Sequence, residues 1–276
     1  MEINFFSRNG ETLPISQAAI SLQNISYQYG FGVYETLKFR NRILYFIKQH
    51  IERLFLSAKL LELEHPFTKE LVEEWIEELI EKNSAESCNI KILLIGGKTS
   101  HEATLYILLL NPLYPNRKLY TQGAKVETIY YERFLPNAKS LNMLMSYLAF
   151  TKAQKNGCYD ALLLDKDKNI LEGTRTNFFA IKDKTLVTAP KDVVLEGVTR
   201  QVVIKVAQEN GYSIKEELIP LDSLSHYDGA FLTSTSSNIM PLIQIDDYKF
   251  NQISENLKEF MQQYDAFLVS SKGVIE

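Results

Sequence analysis

A mixed α/β fold in two domains is predicted by three observations. Strand-like and helix-like segments alternate along the whole chain. The length, 276 residues, is enough for two separate cores. Residues 111–123, NPLYPNRKLYTQG, carry two prolines and no apolar period, which marks a linker. The expected division is an N-terminal α/β domain over 1–115 and a C-terminal α/β domain over 116–276.

In chain order, residues 1–30 read as a short strand, a turn at Arg8-Asn9-Gly10 and a polar approach segment. Val33, Thr36, Leu37 and Phe39 suit a strand, and Gly30 and Gly32 allow a tight backbone just before it. Arg42–Phe46 completes a hairpin. HIERLFLSAKLLEL is a helix with Ile51, Leu54, Phe55, Ala58 and Leu61 on one face. Residues 68–83 form a second amphipathic helix, with Leu71, Val72, Trp75, Ile76, Leu79 and Ile80 inward and a solvated glutamate-rich face. Residues 89–97 and 103–110 are antiparallel strands joined through GGKTSHE.

Beyond the linker, 124–131 is a strand. In PNAKSLNMLMSYLAFT, 136–151, Leu141, Leu144, Met145 and Leu148 recur at helical spacing, so Lys139 should stand at the helix entrance. Residues 159–165 and 177–183 are strands separated by Asp/Lys/Asn-rich turns, and LVTAP is another short strand. A helix over 198–212 ends at Asn210-Gly211, and a last helix spans 253–270.

Composition excludes several functions. The formal net charge of −4 leaves no basic stripe for a nucleic-acid backbone. No run approaches the roughly 20 apolar residues that cross a bilayer. MEINFFSRNG lacks the apolar core of a secretory signal. Cys88 and Cys158 lie far apart with no metal-ligand spacing and read as free thiols of a reducing compartment. A cytoplasmic, metal-free enzyme acting on small molecules is expected.

Four separated pieces carry chemistry: the amine of Lys139 in KSLN, the carboxylate of Glu172 in LEGTRTNFF, Gly197-Val198-Thr199-Arg200 opening a helix, and the hydroxyls of STSS around Thr235. Together they suit a phosphorylated aldehyde: an amine to capture it, a carboxylate to balance it, and free amides at a helix start to hold its phosphate.

In order and separation these pieces resemble the class IV, fold type IV, pyridoxal-phosphate enzymes, from about Gln28 to about Asp247. That group holds branched-chain aminotransferases, D-amino-acid aminotransferases and 4-amino-4-deoxychorismate lyase. The resemblance implies pyridoxal 5'-phosphate on Lys139, which also serves as general acid and base. It implies Arg53 of HIERLFLSA on the phosphate, with Val198 and Thr199, and Glu172 at the pyridine nitrogen. It implies Leu195 against the ring face, Thr235 as a further hydroxyl ligand and Tyr34 beside the substrate. An active site between the two domains and a homodimer follow from the same resemblance.

The match has gaps. The family usually has Arg-Gly upstream of the first long strand and Gly-Asp-Gly before it; this chain has Ile25-Ser26 and Gly30-Phe31-Gly32. D-Amino-acid aminotransferases clamp the substrate carboxylate with an arginine and a histidine in the loop that here reads Gly96-Gly97-Lys98 to His101. Lys98 is the expected substitute, with Lys91, His101 and Arg133 as other cations. The resemblance implies transfer of an amino group between a branched-chain or D-type amino acid and a 2-oxo acid. The alternative is the lyase, releasing pyruvate and 4-aminobenzoate, which a small polar Thr36 after the pocket tyrosine would suit.

Overall fold

The computed structural model describes residues 2–274. The chain groups into two compact units. One holds residues 2–113, Ala138–Asn142 and 272–274; the other holds Tyr114–Asn137 and Met143–Ser271.

The first unit is built on β1 (Phe5–Arg8), β2 (Glu11–Pro14), β3 (Gly32–Arg40), β4 (Ile43–Tyr45), β5 (Cys88–Ile95) and β6 (Thr104–Leu110), with a one-turn helix α1 (Ile25–Gln28) before β3. These strands form a six-stranded sheet in the order β2-β1-β6-β5-β3-β4, antiparallel throughout. Two helices, α2 (Ile47–Leu60) and α3 (Lys69–Lys82), cover one face. The alternation of β3 turns Val33, Leu37 and Phe39 into a core shared with Ile51 and Leu54 of α2 and Val72, Ile76 and Leu79 of α3. Thr68 caps α3 by accepting from the Leu71 amide. Leu71 itself is exposed rather than inward, because its place in the first turn lies off the stripe that faces the sheet.

The segment Ala138–Asn142 is not helical. Its backbone pairs with the start of β3: Tyr34 N donates to Lys139 O at 3.0 Å, Leu141 N donates to Gly32 O at 2.9 Å, and Val33 bridges Ser140. Lys139 stands in this first unit, although the sequence assigns it to the second domain.

The second unit contains α4 (Lys118–Gln122), which occupies part of the expected linker, then β7 (Ala124–Tyr130), α5 (Leu144–Lys155), β8 (Asp160–Leu164) and β9 (Asn169–Gly173). β10 (Asn177–Lys182), β11 (Thr185–Thr188), α6 (Val198–Glu209), β12 (Ser213–Glu216), β13 (Ile219–Pro220), β14 (Gly229–Ser234), β15 (Asn238–Ile245), β16 (Tyr248–Lys249) and α7 (Glu255–Ser270) complete it. The strands run β12-β11-β10-β14-β15-β7-β8-β9-β13, and β9 also meets β10 through Glu172↔Asn177. That extra pairing closes β10, β14, β15, β7, β8 and β9 into a ring filled by side chains such as Phe178, Leu232, Met240 and Leu162.

Two sequence expectations change here. Glu172 lies on β9, a strand hidden among turn-forming residues, rather than in a turn. The apolar positions after Lys139 are not a core face: α5 starts only at Leu144, and Leu144, Met145 and Leu148 are exposed while Ser146, Ala149 and Ala153 are buried. Among the described residues, no helix is long and apolar enough to cross a membrane.

Candidate active site

In the first unit the chemistry gathers around Tyr34. Residue parity on β3 sends Tyr34 and Thr36 to the face opposite α2 and α3, and register places Lys91 of β5 directly across from Thr36. Lys91 Nζ lies 3.6 Å from the Tyr34 ring centroid and Lys139 Nζ lies 4.5 Å from it, both within cation–π range. The root of Lys139 is fixed by the pairing to β3 and by its amide, which donates to Ser57 Oγ at 3.0 Å. Lys91 is half-buried, and burial pushes its amine down to about 8.

Behind this face, Glu35 points into the core and is fully buried. Arg53 grips it with two bonds, Nε to Oε1 at 2.6 Å and Nη2 to Oε2 at 2.9 Å. His50 Nδ1 lies 2.8 Å from Oε2. Burial alone would raise the Glu35 carboxyl, but Arg53 and His50 outweigh it and hold Glu35 well below the usual carboxylate range. Burial also pushes His50 down, so the ring is neutral and Nδ1–H donates to Glu35. Of this cluster, the sequence motif HIERLFLSA singles out only Arg53. The available signal was an acid on the inward parity of β3, between Val33 and Leu37.

The Lys98 and His101 side chains are exposed in the β5–β6 connection, where the Lys98 amide donates to Glu102 Oε2. Of the cations weighed for the substrate, Lys91 has its amine over the Tyr34 ring, as Lys139 does.

In the second unit the ring closure between β9 and β10 organises the site. Glu172 is buried, its Oε1 lies 3.5 Å from Arg133 Nη1, and its Oε2 accepts from the Leu195 amide at 3.2 Å and from Asn177 Nδ2 at 3.3 Å. Asn177 Nδ2 also donates to Leu195 O at 2.7 Å, which locks the approach to α6. Arg133, weighed from sequence as a substrate cation, is drawn to Glu172 and to Pro136 O.

Helix α6 begins after Gly197, whose side carries no room for a Cβ: one would sit 2.1 Å from Asn177 Oδ1. No side chain caps this helix, so the first-turn amides of the buried Val198 and Thr199 receive no side-chain acceptor at the cap position. Thr235 is half-buried in the β14–β15 turn. Near Asn177, its cross-strand neighbour Thr233 is buried with Oγ1 unpaired among the described residues.

Each unit holds donors of the kinds that a phosphorylated pyridine carboxaldehyde takes: an amine with a fixed root in the first, and a buried carboxylate and an uncapped helix start in the second.

Residues 32–245 match the family model described as Amino-transferase class IV. The chain belongs to this family. A Methanocaldococcus jannaschii relative, whose name as a branched-chain-amino-acid aminotransferase is itself provisional, is 31% identical, with 93% of each chain covered. The D-alanine aminotransferase of Bacillus licheniformis is 28% identical over 86% of this chain and 87% of its own. Among solved structures, the T.th. branched-chain amino acid aminotransferase with pyridoxamine 5'-phosphate superposes with a TM-score of 0.88 at 27% identity, covering 99% of this chain and 95% of that one. The class IV fold thus extends over essentially the whole chain.

Proposed function

We propose that this class IV aminotransferase uses pyridoxal 5'-phosphate to move an amino group between an amino acid of branched-chain or D type and a 2-oxo acid. The observation that carries the reading is the Lys139 amine, rooted by its pairing to β3 and held over the Tyr34 ring. The cofactor, when bound, supplies the electron sink for the α-carbon. Lys139 would hold it covalently and then carry a proton on Nζ. Glu172, oriented by Arg133 and Asn177, would keep a proton on the pyridine nitrogen. The amides of Val198 and Thr199, the Thr199 and Thr235 hydroxyls and Arg53 would hold the phosphate, and Leu195 would bound the ring face. Tyr34 and Lys98 are assigned to the substrate, Tyr34 through its hydroxyl and Lys98 as the cation of the 96–101 loop.

A cytoplasmic homodimer belongs to the same reading. Two unpaired thiols support the compartment. Exposed apolar side chains support the dimer: Phe134, Leu144, Tyr147 and Leu148 are each more than half exposed in the second unit.

The test is a half-reaction. A single amino donor added to the loaded protein should convert the aldehyde form of the cofactor to its amine form, with one equivalent of 2-oxo acid. L-branched-chain and D-amino acids form the two arms. No conversion with either, together with pyruvate and 4-aminobenzoate from 4-amino-4-deoxychorismate, would replace transamination by the lyase reaction.

A further inference from the structure

Asp160 opens β8, the strand beside Glu172, and is 0% exposed, yet the chemistry proposed above does not use it. Both its oxygens accept from the turn that follows Glu172. Thr174 Oγ1 donates to Oδ1, and Thr176 Oγ1 donates to Oδ2 at 3.0 Å. The Ala161 amide adds a third donor to Oδ1 at 2.9 Å. A buried carboxylate needs such donors, and here they come from both sides of one turn. Backbone bonds close the same turn: Gly173 N donates to Thr176 O at 2.8 Å and Thr174 N to Ala161 O at 3.0 Å. Gly173 leaves no room for a Cβ, which would sit 2.0 Å from Thr176 Oγ1 and 2.8 Å from Asp160 Oδ2.

We propose that Asp160, acting through Thr174 and Thr176, is a positioning residue that aims the Glu172 carboxylate at the pyridine nitrogen. The proposal deepens the assignment of Glu172 above and rests on it. Its physical basis is that the strands alone hold Glu172 weakly. Among the described residues one pair, Glu172↔Asn177, joins β9 to β10, and the β8–β9 ladder is irregular between Leu163, which faces Glu172, and Leu164. The turn clasped by Asp160 spans that single pair. Asn177 Nδ2 in turn donates to Glu172 Oε2 at 3.3 Å and to Leu195 O at 2.7 Å, and the Leu195 amide donates to the same Oε2 at 3.2 Å. A turn released from Asp160 lets Asn177 and Glu172 shift, and a hydrogen bond weakens steeply as its angle opens. The charged neighbours are Arg133, 3.5 Å from Glu172 Oε1, and Arg175 of the turn itself, whose guanidinium lies over the Phe150 ring of α5.

Thr174→Val and Thr176→Val each remove one hydroxyl at nearly constant volume and leave the charge of the site unchanged. Thr174 is 0% exposed and Thr176 7%, so Thr176→Val keeps the test open if Thr174→Val does not fold. The full chain is loaded with pyridoxal phosphate carrying nitrogen-15 in the ring, and protonation of that atom is followed against pH by NMR. Each valine variant should lower the midpoint by about 1 unit, a tenfold weaker hold on the proton, and kcat should fall about tenfold. Thr→Ser at either position keeps the hydroxyl, and Asp160→Asn keeps the shape and the hydrogen bonding without the charge. These should stay within about 0.3 unit of the parent. Unmoved midpoints in folded valine variants overturn the proposal, and so does an Asp160→Asn shift as large as theirs, which would make charge the cause.

A merely structural role is separated by a double-variant cycle. In a Glu172→Gln background, Thr176→Val should add less than about twofold to the loss of turnover, and a further tenfold loss overturns the proposal. Glu172→Gln by itself tests the reading beneath. A ring nitrogen that does not respond to it refutes the Glu172 assignment, whereas a response to Glu172→Gln with none to the valine variants refutes the clasp alone.

Discussion

Replacing Glu35 with Gln tests the buried cluster that underlies the Tyr34 face. The glutamate side chain is 0% exposed, Arg53 10% and His50 1%, and three bonds of 2.6 to 2.9 Å join them. Gln keeps the shape but removes the charge, which leaves Arg53 largely buried without its counter-ion. Breaking one partner of a buried pair costs about 3–5 kcal/mol. At about 2–4 °C of melting temperature per kcal/mol for a chain of this size class, the expected loss is about 6–20 °C. Glu86→Gln is the internal control. Its pair with Arg42 is 3.0 Å long but both side chains are more than 70% exposed, so less than about 3 °C should be lost. The assay is a thermal melt of the cofactor-free proteins followed by circular dichroism.

Acidification should act in the same direction. The folded protein holds Glu35 below its unfolded value, so this contribution is whole above about pH 4.3 and is lost as pH falls from there through the lower folded value. Burial holds His50 below its unfolded value too, so the folded state resists a proton that the unfolded chain accepts below about pH 6.5. The parent should therefore lose stability in two stages on acidification, and Glu35→Gln should lack the lower one. A Glu35→Gln melt no lower than that of Glu86→Gln would refute the reasoning.

Three further outcomes are expected. Glu172→Gln should keep the cofactor but lose about 10²-fold or more in turnover, measured on fully loaded protein, since the preorganised charge at the ring nitrogen is gone. Arg53→Ala should weaken cofactor binding by roughly 10- to 100-fold in a spectral titration, the range of a lost charge-assisted hydrogen bond; unchanged affinity would confine Arg53 to its bond with Glu35. Sedimentation equilibrium at micromolar concentration should give a dimer, and a fully active monomer would contradict the assembly proposed.

Much of this was legible in the chain. Local periodicity located α2, α3, α6 and α7 and most strands, because amphipathic stripes and residue alternation are properties of contiguous residues. The failures lie where distant pairing decides. Asn169–Gly173 is short and set among turn-forming residues, so β9 is visible only through its partners Leu163 and Asn177, which fix Glu172 in place. Ser140 bridges Val33, and this long-range pairing delays the helix to Leu144 and leaves helically spaced leucines exposed. Lys91 was readable as a strand lysine, but its meeting with Tyr34 and Lys139 depends on the register of β3 against β5 and on that same bridge. The Glu35 cluster shows the reverse case: an acid at an inward strand position and a histidine beside an apolar helical stripe were both in view, and their pairing was not.

The most direct test of the central claim is to load the protein with pyridoxal phosphate, reduce it with borohydride, and map the modified peptide. The pyridoxyl group should be recovered on Lys139 at one per chain. Recovery on Lys91, Lys98 or any other lysine, with Lys139 unmodified, would contradict it.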